Sequence, residues 1–464
     1  MSGYAEYREV NLPWLKAVPA HWEIRRNKNI FTEQKEIVGE RSADYTLLSL
    51  TLNGIIPRDM DGGGKFPESF DKYKIVKNGD MAFCLFDIDE TPRTVGLSGY
   101  NRMLTGAYTI MRVSNINARF IYYYYLALDN GKMLRPLYTG LRKTININTF
   151  QSTKVPVPPR EEQDQIVRFL DWKVSGINRL ISNYRHQIAL LDEMKQRRID
   201  ETVIKGMRKS TIVHNDDIRW DIDYPEHWQI QRIRESFTFR KGLSITKANL
   251  EETGMAVISY GQVHSKKNSG VALNGNLIRY VNESYLTTNQ SCLVEKGDFI
   301  FADTSEDVTG CGNCAYIDWD DTIFAGYHSI IAHPDGSINS KYLAYLFNSS
   351  TWRYQIRKKV NGVKVYSITQ KMLKDTFILI PPIDEQEEII RYLDEVYAKI
   401  DVTIKKMEAK IANLQDLRIC LIADTVTGKI DVRGIEIPEY EFVDEDTDAD
   451  NEDDGEEDTE EQED

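Results

Sequence analysis

Residues 158–171 read PPREEQDQIVRFLD, and the stretch returns 223 residues later as PPIDEQEEIIRYLD at residues 381–394. The match continues without a gap to Thr202-Val203 in the first copy and Thr425-Val426 in the second. A long self-similar stretch at one fixed spacing indicates a tandem duplication. The sequence therefore predicts a chain built from two related halves.

Further matches lie upstream of this Pro-Pro motif, where PAHWEI at residues 19–24 returns as PEHWQI at residues 225–230. Between the two motifs, Gly79-Asp80 matches Gly297-Asp298. The offset between the copies grows from 206 residues at the first match to 218 at the second and 223 at the Pro-Pro motif. The second globular part has thus gained about 17 residues, while the stretch after each Pro-Pro motif has kept its length.

Each Pro-Pro motif opens a stretch whose apolar residues recur at the a and d positions of a heptad. Pro159 and Pro382 stand just before the first turn, where a missing N–H is harmless, and acidic residues follow where the helix dipole favours negative charge. The pattern predicts two antiparallel paired helices of about 40–45 residues, or roughly 60–68 Å each. The predicted seam consists of Leu170, Val174, Ile177, Ile181, Tyr184, Ile188, Leu191, Leu393, Tyr397, Ile400, Ile404, Met407, Ile411 and Leu414.

The globular parts alternate short apolar stretches with turn residues, which favours mixed structure. The fold class is therefore α+β, with two tandem globular domains, two long antiparallel coiled-coil helices and a disordered acidic C-terminal tail. We expect strands at residues 42–50, 80–83, 254–260 and 298–301 and short helices at 120–128 and 341–347. The predicted parts are a globular domain at 1–158, a helix at 159–206, a linker at 207–219, a globular domain at 220–381, a helix at 382–427 and the tail at 428–464.

Bulk composition narrows the class of protein. The 464 residues suit two or three domains. No run of about 20 apolar residues could cross a bilayer, and the N-terminal residues lack the order of a secretion signal. Five cysteines form a sparse, odd set that is typical of a reducing compartment. We therefore expect a cytoplasmic protein without disulfides and without a membrane partner.

The formal net charge of −14 is concentrated at the C-terminus. Residues 439–464 hold 17 Asp or Glu and no Lys or Arg, which leaves residues 1–438 with 55 acidic and 58 basic side chains. Because the body is mildly basic, the net charge does not exclude nucleic acid. The tail repels itself and has little to bury, so it is expected to be disordered. It would act as a solubiliser, or compete with nucleic acid for basic surfaces of the body, or dock on a basic surface of a partner.

The duplicated motifs resemble the family-wide regions of type I restriction-modification specificity subunits. The resemblance rests on the P-x-H-W opening of each half, on VPVPP at 155–159 with Glu162-Gln163, and on LIPP at 379–382 with Glu385-Gln386. It covers residues 18–427 and implies two target recognition domains, each of which reads one half of a split double-stranded DNA target. The helices would set the distance between the two halves.

The same resemblance implies that partner subunits supply the chemistry. Two methyltransferase subunits would dock on the helices, and restriction subunits would join the complex. S-adenosylmethionine, ATP and Mg would belong to those partners, so no cofactor, metal or catalytic residue is expected in this chain. The sequence agrees, because it lacks the Asn-Pro-Pro-aromatic loop of methyltransferases and because the lone C-x-x-C at 311–314 falls short of the four ligands of structural zinc.

Both halves carry a basic, glycine-containing stretch shortly before the long helix, and the equivalent positions indicate a shared role in holding phosphates. The four tyrosines at 122–125 would suggest base stacking, but their apolar continuation favours a buried helix face. The candidate DNA-binding residues are Arg25, Arg26, Lys28, Gly140, Arg142, Lys143, Lys266, Lys267, Arg357, Lys358, Lys359, Gly362 and Lys364.

Two other interpretations stay open at this point. A non-enzymatic coiled-coil scaffold without DNA recognition would lack the salt-dependent DNA affinity of a DNA reader. A fused enzyme would need catalytic motifs that the sequence does not contain.

Overall fold

The computed structural model describes residues 3–58, 69–138, 140, 143–216, 220–362 and 365–444. The chain forms two compact units: Met1–His186 with Met407–Asp464 (unit 1) and Gln187–Lys406 (unit 2). The borders between the units cross both long helices, so each unit contains one globular part and a portion of both helices. The compact units therefore differ from the six consecutive parts expected from the sequence.

Unit 1 is built on short antiparallel strands. β4, β8, β9 and β11 form a four-stranded sheet in the order β4-β11-β8-β9, and the other strands pair as β1-β2, β3-β12, β5-β6 and β7-β10. Their bounds are β1 Tyr7–Leu12, β2 Leu15–Pro19, β3 Glu23–Arg26, β4 Phe31–Gln34, β5 Leu48–Thr51, β6 Gly54–Pro57, β7 Lys74–Val76, β8 Asp80–Phe83, β9 Val95–Leu97, β10 Arg102–Leu104, β11 Thr109–Val113 and β12 Lys154–Val157.

Unit 2 repeats this plan and adds to it. Its four-stranded sheet has the order β16-β25-β21-β23, and β15-β27 matches the β3-β12 pair, but it also has a five-stranded sheet in the order β17-β19-β18-β24-β20. The strands are β13 Ile212–Asn215, β14 Ile222–Pro225, β15 Gln229–Arg232, β16 Phe237–Lys241, β17 Leu250–Glu251, β18 Met255–Ile258, β19 Arg279–Val281, β20 Leu293–Val294, β21 Phe299–Ala302, β22 Thr304–Ser305, β23 Cys314–Tyr316, β24 Ile323–Ala325, β25 Ser329–Pro334, β26 Tyr366–Ser367 and β27 Phe377–Ile380.

Two of the helices are far longer than the others. α3 spans 46 residues and α9 spans 44, and each begins directly after a Pro-Pro pair. The bounds are α1 Ala118–Asn130, α2 Ile147–Ser152, α3 Arg160–Lys205, α4 Tyr260–His264, α5 Tyr285–Thr288, α6 Ser340–Asn348, α7 Ser350–Arg357, α8 Gln370–Lys374 and α9 Ile383–Val426.

None of the fourteen predicted seam residues of α3 and α9 belongs to the exposed class. Leu170, Ile177, Ile181, Leu393, Tyr397 and Ile400 are buried, and the other eight are half-buried. Within unit 1 the helices run antiparallel, because Arg418 donates to Asn178 Oδ1 at 3.1 Å while Lys410 Nζ lies 5.3 Å from the Tyr184 ring centre. Within unit 2, Lys195 Nζ lies 2.7 Å from Asp401 Oδ1.

The end of each long helix packs into the globular core of the opposite sequence copy. Ile422 and Val426 at the end of α9 belong to the core of unit 1, and Ile199 and Val203 near the end of α3 belong to the core of unit 2. Burial of these aliphatic side chains ties each globular part to both helices. This exchange explains why the compact units cut across the tandem copies.

Most of the short elements predicted from the globular sequence are found. α1 and α6 extend the two predicted helices by one or two residues at each end, and Tyr123, Tyr124 and Tyr125 are buried as expected of a core face. The strand predicted at 42–50 is wrong in its first half, where Gly39–Asp44 forms a 3-10 helix and the strand begins only at Leu48. The predicted linker at 207–219 contains β13, which pairs with β14.

The prediction of a disordered tail at 428–464 is wrong for residues 428–444. Val432 is fully buried in the core of unit 1, and Gln165 Nε2 donates to the carbonyl oxygens of Val432 and Ile435 at 3.0 and 2.8 Å. Further along, Val443 N donates to Ser175 Oγ at 2.7 Å. The aliphatic residues between Ile430 and Val443 therefore anchor this segment on α3. Residues 445–464 lie outside the described residues.

Candidate nucleic-acid interface

The P-x-H-W motif and the glutamate of the Pro-Pro motif meet in unit 1. Glu162 is buried, and its Oε1 accepts hydrogen bonds from Trp22 Nε1 at 2.9 Å and from the Tyr4 hydroxyl at 2.5 Å. Its Oε2 lies 2.7 Å from His21 Nε2. Burial and the neighbouring carboxylate raise the pKa of Tyr4 well above its ordinary value, which keeps this hydroxyl a donor. Glu162 thus joins the start of α3 to the start of the globular part.

Unit 2 repeats this joint with one change. Glu385 is buried and accepts from Trp228 Nε1 at 3.0 Å, while its other oxygen lies 2.7 Å from His227 Nε2. Arg208, whose guanidinium lies 3.6 Å from Glu385 and 2.6 Å from Glu388, stands in for the tyrosine of unit 1. A buried carboxylate needs such partners to offset its lost hydration.

The glutamine that follows each of these glutamates ties the long helix to a short one. Gln163 and Gln386 each donate to the carbonyl of the first proline of their own Pro-Pro pair at 2.8 Å. Their Oε1 atoms accept from the backbone N–H of Asn117 at 2.8 Å and of Asn339 at 2.9 Å. Both asparagines cap the N-termini of α1 and α6. The duplicated motifs therefore join each globular part to the long helix that follows it.

The candidate basic residues at the start of unit 1 lie on and just after β3. Arg25 is half-buried and donates to Glu23 Oε2 at 2.9 Å and to the Asn115 carbonyl at 3.2 Å. Arg26 and Lys28 are exposed. Arg25 is thus held by intramolecular contacts, whereas Arg26 and Lys28 present their charge to solvent.

The glycine loop of unit 1 is described in part. Gly140 has a φ of +78°, a left-handed conformation that glycine adopts without steric cost. Lys143 Nζ lies 2.8 Å from Glu90 Oε1 and 3.6 Å from Asp89 Oδ2, and the hydrogen bond to Glu90 raises the pKa of Lys143. A phosphate would have to compete with this exposed ion pair, which is weak enough to be exchanged. Arg142 lies outside the described residues.

The candidate residues of unit 2 differ in exposure. Lys266, Lys267 and Lys358 are exposed, and Lys359 is half-buried. Arg357 is half-buried at the end of α7, donates to the Thr309 carbonyl and has its pKa lowered by burial. Gly362 has no room for a side chain, because a Cβ atom would lie 2.3 Å from the Val365 carbonyl oxygen. Lys364 lies outside the described residues.

One cleft of unit 2, with a volume of about 710 Å³, is lined by His264 and Arg353, which lie close in sequence to two of these basic stretches. His264 Nε2, two residues before Lys266, donates to the Thr304 carbonyl at 2.8 Å, and Arg357 donates to the Thr309 carbonyl of the same loop. Both stretches are thereby fixed to the loop at 304–310, which lines the cleft. The structure brings together two basic stretches that lie about 90 residues apart in the sequence.

Tyr260, Glu306 and His328 also line this cleft and are absent from the candidates derived from the sequence. His328 follows Gly326-Tyr327, the counterpart of Gly106-Ala107-Tyr108 in the first half, so the duplicated turn was the available signal. Tyr260 and Glu306 carry no such signal, because the short helix α4 and the loop at 304–310 have no recognisable counterpart in the first half.

The cysteines of the C-x-x-C stretch are buried thiols. Burial raises the pKa of Cys314 to about 12, and all five cysteines of the chain are unpaired. Among the described residues there is no cluster of three or more His, Cys, Asp or Glu placed to hold a metal ion. None of the helices in the described part of the chain is long and apolar enough to cross a membrane.

The profile of the type I restriction modification DNA specificity domain matches residues 85–188 and 225–413, one stretch in each half of the chain. The chain belongs to this family. Its function is to recognise a DNA sequence within a type I restriction-modification system, and it is the non-catalytic subunit of that system.

Two curated specificity subunits are similar to this chain over most of their own length and of its length. The type I restriction enzyme MjaVIII specificity subunit of Methanocaldococcus jannaschii is 22% identical over 447 residues, covering 92% of this chain and 98% of the relative. The EcoKI specificity subunit of Escherichia coli K12 is 23% identical over 320 residues, covering 65% of this chain and 64% of the relative.

One solved structure supports the fold. A chain from a type I restriction-modification system, studied for its complex assembly and conformational transition, aligns with a TM-score of 0.59 at 14% identity. The alignment covers 89% of this chain and 99% of the solved chain. At this identity the likeness shows the fold alone.

Proposed function

We propose that the two units each read one half of a bipartite, asymmetric DNA target. The observation that carries this proposal is the repeated scaffold: each unit has a four-stranded antiparallel sheet, a buried Trp-Glu joint and basic residues in the loops beside them. Two similar scaffolds with different loops are suited to two different base sequences. Unit 2 has a five-stranded sheet where unit 1 has the pairs β5-β6 and β7-β10, so the loops of the two units differ.

The long helices are proposed to set the spacing between the two half-sites. α3 and α9 kept nearly equal lengths, 46 and 44 residues, while the globular parts diverged by about 17 residues. A helix of 45 residues is about 68 Å long at about 1.5 Å per residue. One turn of B-DNA is about 34 Å, so helices of this length are long enough to separate two major-groove contacts.

The outer faces of the helices are proposed to dock two methyltransferase subunits, with restriction subunits joining the assembly. Large apolar side chains outside the seam are exposed on both helices: Leu180, Leu190, Met194, Val402, Leu417 and Ile419. A contiguous patch of exposed apolar residues marks a protein interface, and the proposal is that these residues contribute to such patches. S-adenosylmethionine, ATP and Mg would then be bound by these partners.

Methylome sequencing tests the bipartite assignment directly. Cells that express this chain with its methyltransferase are expected to methylate a split motif of two short half-sites separated by an unspecific spacer. Replacing residues 220–381 with the equivalent part of a relative should change one half-site and leave the other intact. A contiguous motif, or a change in both halves, would contradict the assignment.

Salt dependence separates DNA reading from a protein-only scaffold. The affinity of the chain with its methyltransferase for target DNA is expected to fall about 1,000-fold or more between 50 and 200 mM salt, because phosphate contacts release counterions. A titration by fluorescence anisotropy measures this. Affinity that does not change with salt would favour the coiled-coil scaffold.

The acidic tail is proposed to weaken nonspecific DNA binding. Residues 428–444 are anchored on α3, and the 14 acidic residues of 445–464 follow this anchor in the sequence, so their charge would compete with phosphate for basic loops at a high effective concentration. Deleting 445–464 should raise affinity for nontarget DNA several-fold at 50 mM salt, with a smaller effect at 200 mM. A variant with every tail acid replaced by its amide separates charge from length. Unchanged affinity in both variants would leave the tail as a solubiliser.

A further inference from the structure

The cleft of unit 2 is lined by an aromatic cluster around Tyr260, a residue that packs on one side against the core of the unit. The half-buried Tyr260 ring lies 5.5 Å from the ring centres of Tyr327 and His328 and 6.3 Å from that of His264. Aromatic side chains that serve only packing are buried, as Phe299 and Phe301 are in the same unit. The rings of Tyr260, His264 and His328 instead line the cleft, and Lys266 and Lys267 follow His264 in the sequence.

His328 is held in this cleft by a backbone conformation that disfavours it. Its φ is +52°, in the left-handed region where a non-glycine residue is uncommon. Asp303 fixes the residue twice: its Oδ1 lies 3.1 Å from His328 Nδ1, and its backbone N–H donates to the His328 carbonyl at 3.1 Å. Because Nδ1 faces Asp303, Nε2 is left for a ligand. Strain of this kind is concentrated at functional sites.

Glu306 supplies a carboxylate at the mouth of the same cleft. It is exposed in the loop that Arg357 and His264 fasten, and no hydrogen bond or ion pair of its side chain is found among the described residues. Asp307, its neighbour, is already used by the Thr309 hydroxyl and the Gly310 N–H. A carboxylate between basic flanks opposes phosphate binding, but it suits an amino group on a base edge.

We propose that this cleft reads a base of the second half-site that presents an exocyclic amine in the major groove. Glu306 accepts a hydrogen bond from that amine, Tyr260 packs against the base edge, and His328 Nε2 completes the recognition. The inference rests on the proposed function, since it assigns base-reading residues to unit 2. Cytosine N4 and adenine N6 share this chemistry.

The test compares the methylated motifs of two variants with that of the native chain, each in complex with the methyltransferase. Glu306→Gln keeps size and adds a donor. At a cytosine position it should reduce discrimination by about 10- to 100-fold and shift the preference toward adenine, because glutamine pairs with adenine N6 and N7. At an adenine position the same pairing should keep the preference for adenine, so the expected loss there is carried by His328→Gly.

His328→Gly removes the imidazole and suits the positive φ, so the unit should keep its melting temperature. It should reduce discrimination in the same half-site. Glu283→Gln is the matched control, because Glu283 is exposed and does not line the cleft. Binding selection from a library with a randomised second half-site measures all three variants without requiring methylation.

The outcomes separate the inference from the function on which it rests. A native split motif with unchanged discrimination in both cleft variants would overturn the inference and leave the function standing. A uniform rise in affinity for all sequences in Glu306→Gln would overturn it too, because the carboxylate would then only repel phosphate. A native chain that directs no split motif would contradict the proposed function itself.

Discussion

Lengthening both long helices by four residues is expected to lengthen the DNA spacer of the methylated motif by about two base pairs. The insertions are placed next to the Tyr184–Lys410 contact, one in α3 and one in α9, so that the two helices stay matched. Four residues add about 6 Å, and each base pair of B-DNA rises about 3.4 Å. Methylation of sites with the original spacer should fall about 100-fold or more, because the two units can no longer bind both half-sites at once.

Insertion into one helix alone should abolish methylation at every spacer, because a four-residue shift moves half of the seam out of register with the other half. Substituting four exposed residues at the same place without insertion is the control, and it should leave the motif unchanged. Methylome sequencing measures all of these variants. Normal methylation of the original spacer by the doubly lengthened chain would show that the helices do not set the distance.

The sequence predicted the fold best where both halves of the chain form the same contacts with the same residue types. Glu162 and Trp22 are far apart in the chain, yet both recur, as Glu385 and Trp228, because each half needs one joint between its globular part and its helix. The heptad pattern likewise predicted two long helices, and six of the fourteen predicted seam residues are buried. Repetition and periodicity are properties that one sequence displays without a structure.

Features that depend on residues brought together only by folding were missed. The cleft of unit 2 joins His264, the loop at 304–310 and Arg357, and nothing in their separate stretches indicates that they meet. The anchor of residues 428–444 was missed because the acidic composition of 439–464 dominated the interpretation, although Val432 and Ile435 are apolar. The average composition of a segment does not show that a few apolar residues in it pack against the folded part of the chain.

Replacing Glu162 with alanine is expected to cost unit 1 about 3 kcal/mol of unfolding free energy, a large fraction of the stability of a domain. The substitution leaves the buried Trp22 indole N–H and the Tyr4 hydroxyl without their acceptor. It also removes the partner of His21. Because the loss is local to the joint, hydrogen exchange is the suitable measurement. Amides of residues 15–26 should exchange about 100-fold faster, while those of 229–232 in unit 2 keep their protection.

Glu161→Ala is the matched control, since Glu161 is the exposed neighbour in the same first turn and contributes an equal charge to the helix N-terminus. Its cost should stay below about 1 kcal/mol. The loss of unfolding free energy in Glu162→Gln should lie between those of Glu161→Ala and Glu162→Ala. The amide oxygen can still accept a hydrogen bond from Trp22, while the charge is lost. Equal costs for Glu161→Ala and Glu162→Ala would mean that the recurring glutamate acts through the helix dipole. A cost confined to Glu162 would instead explain why the Pro-Pro motif and the P-x-H-W motif recur together.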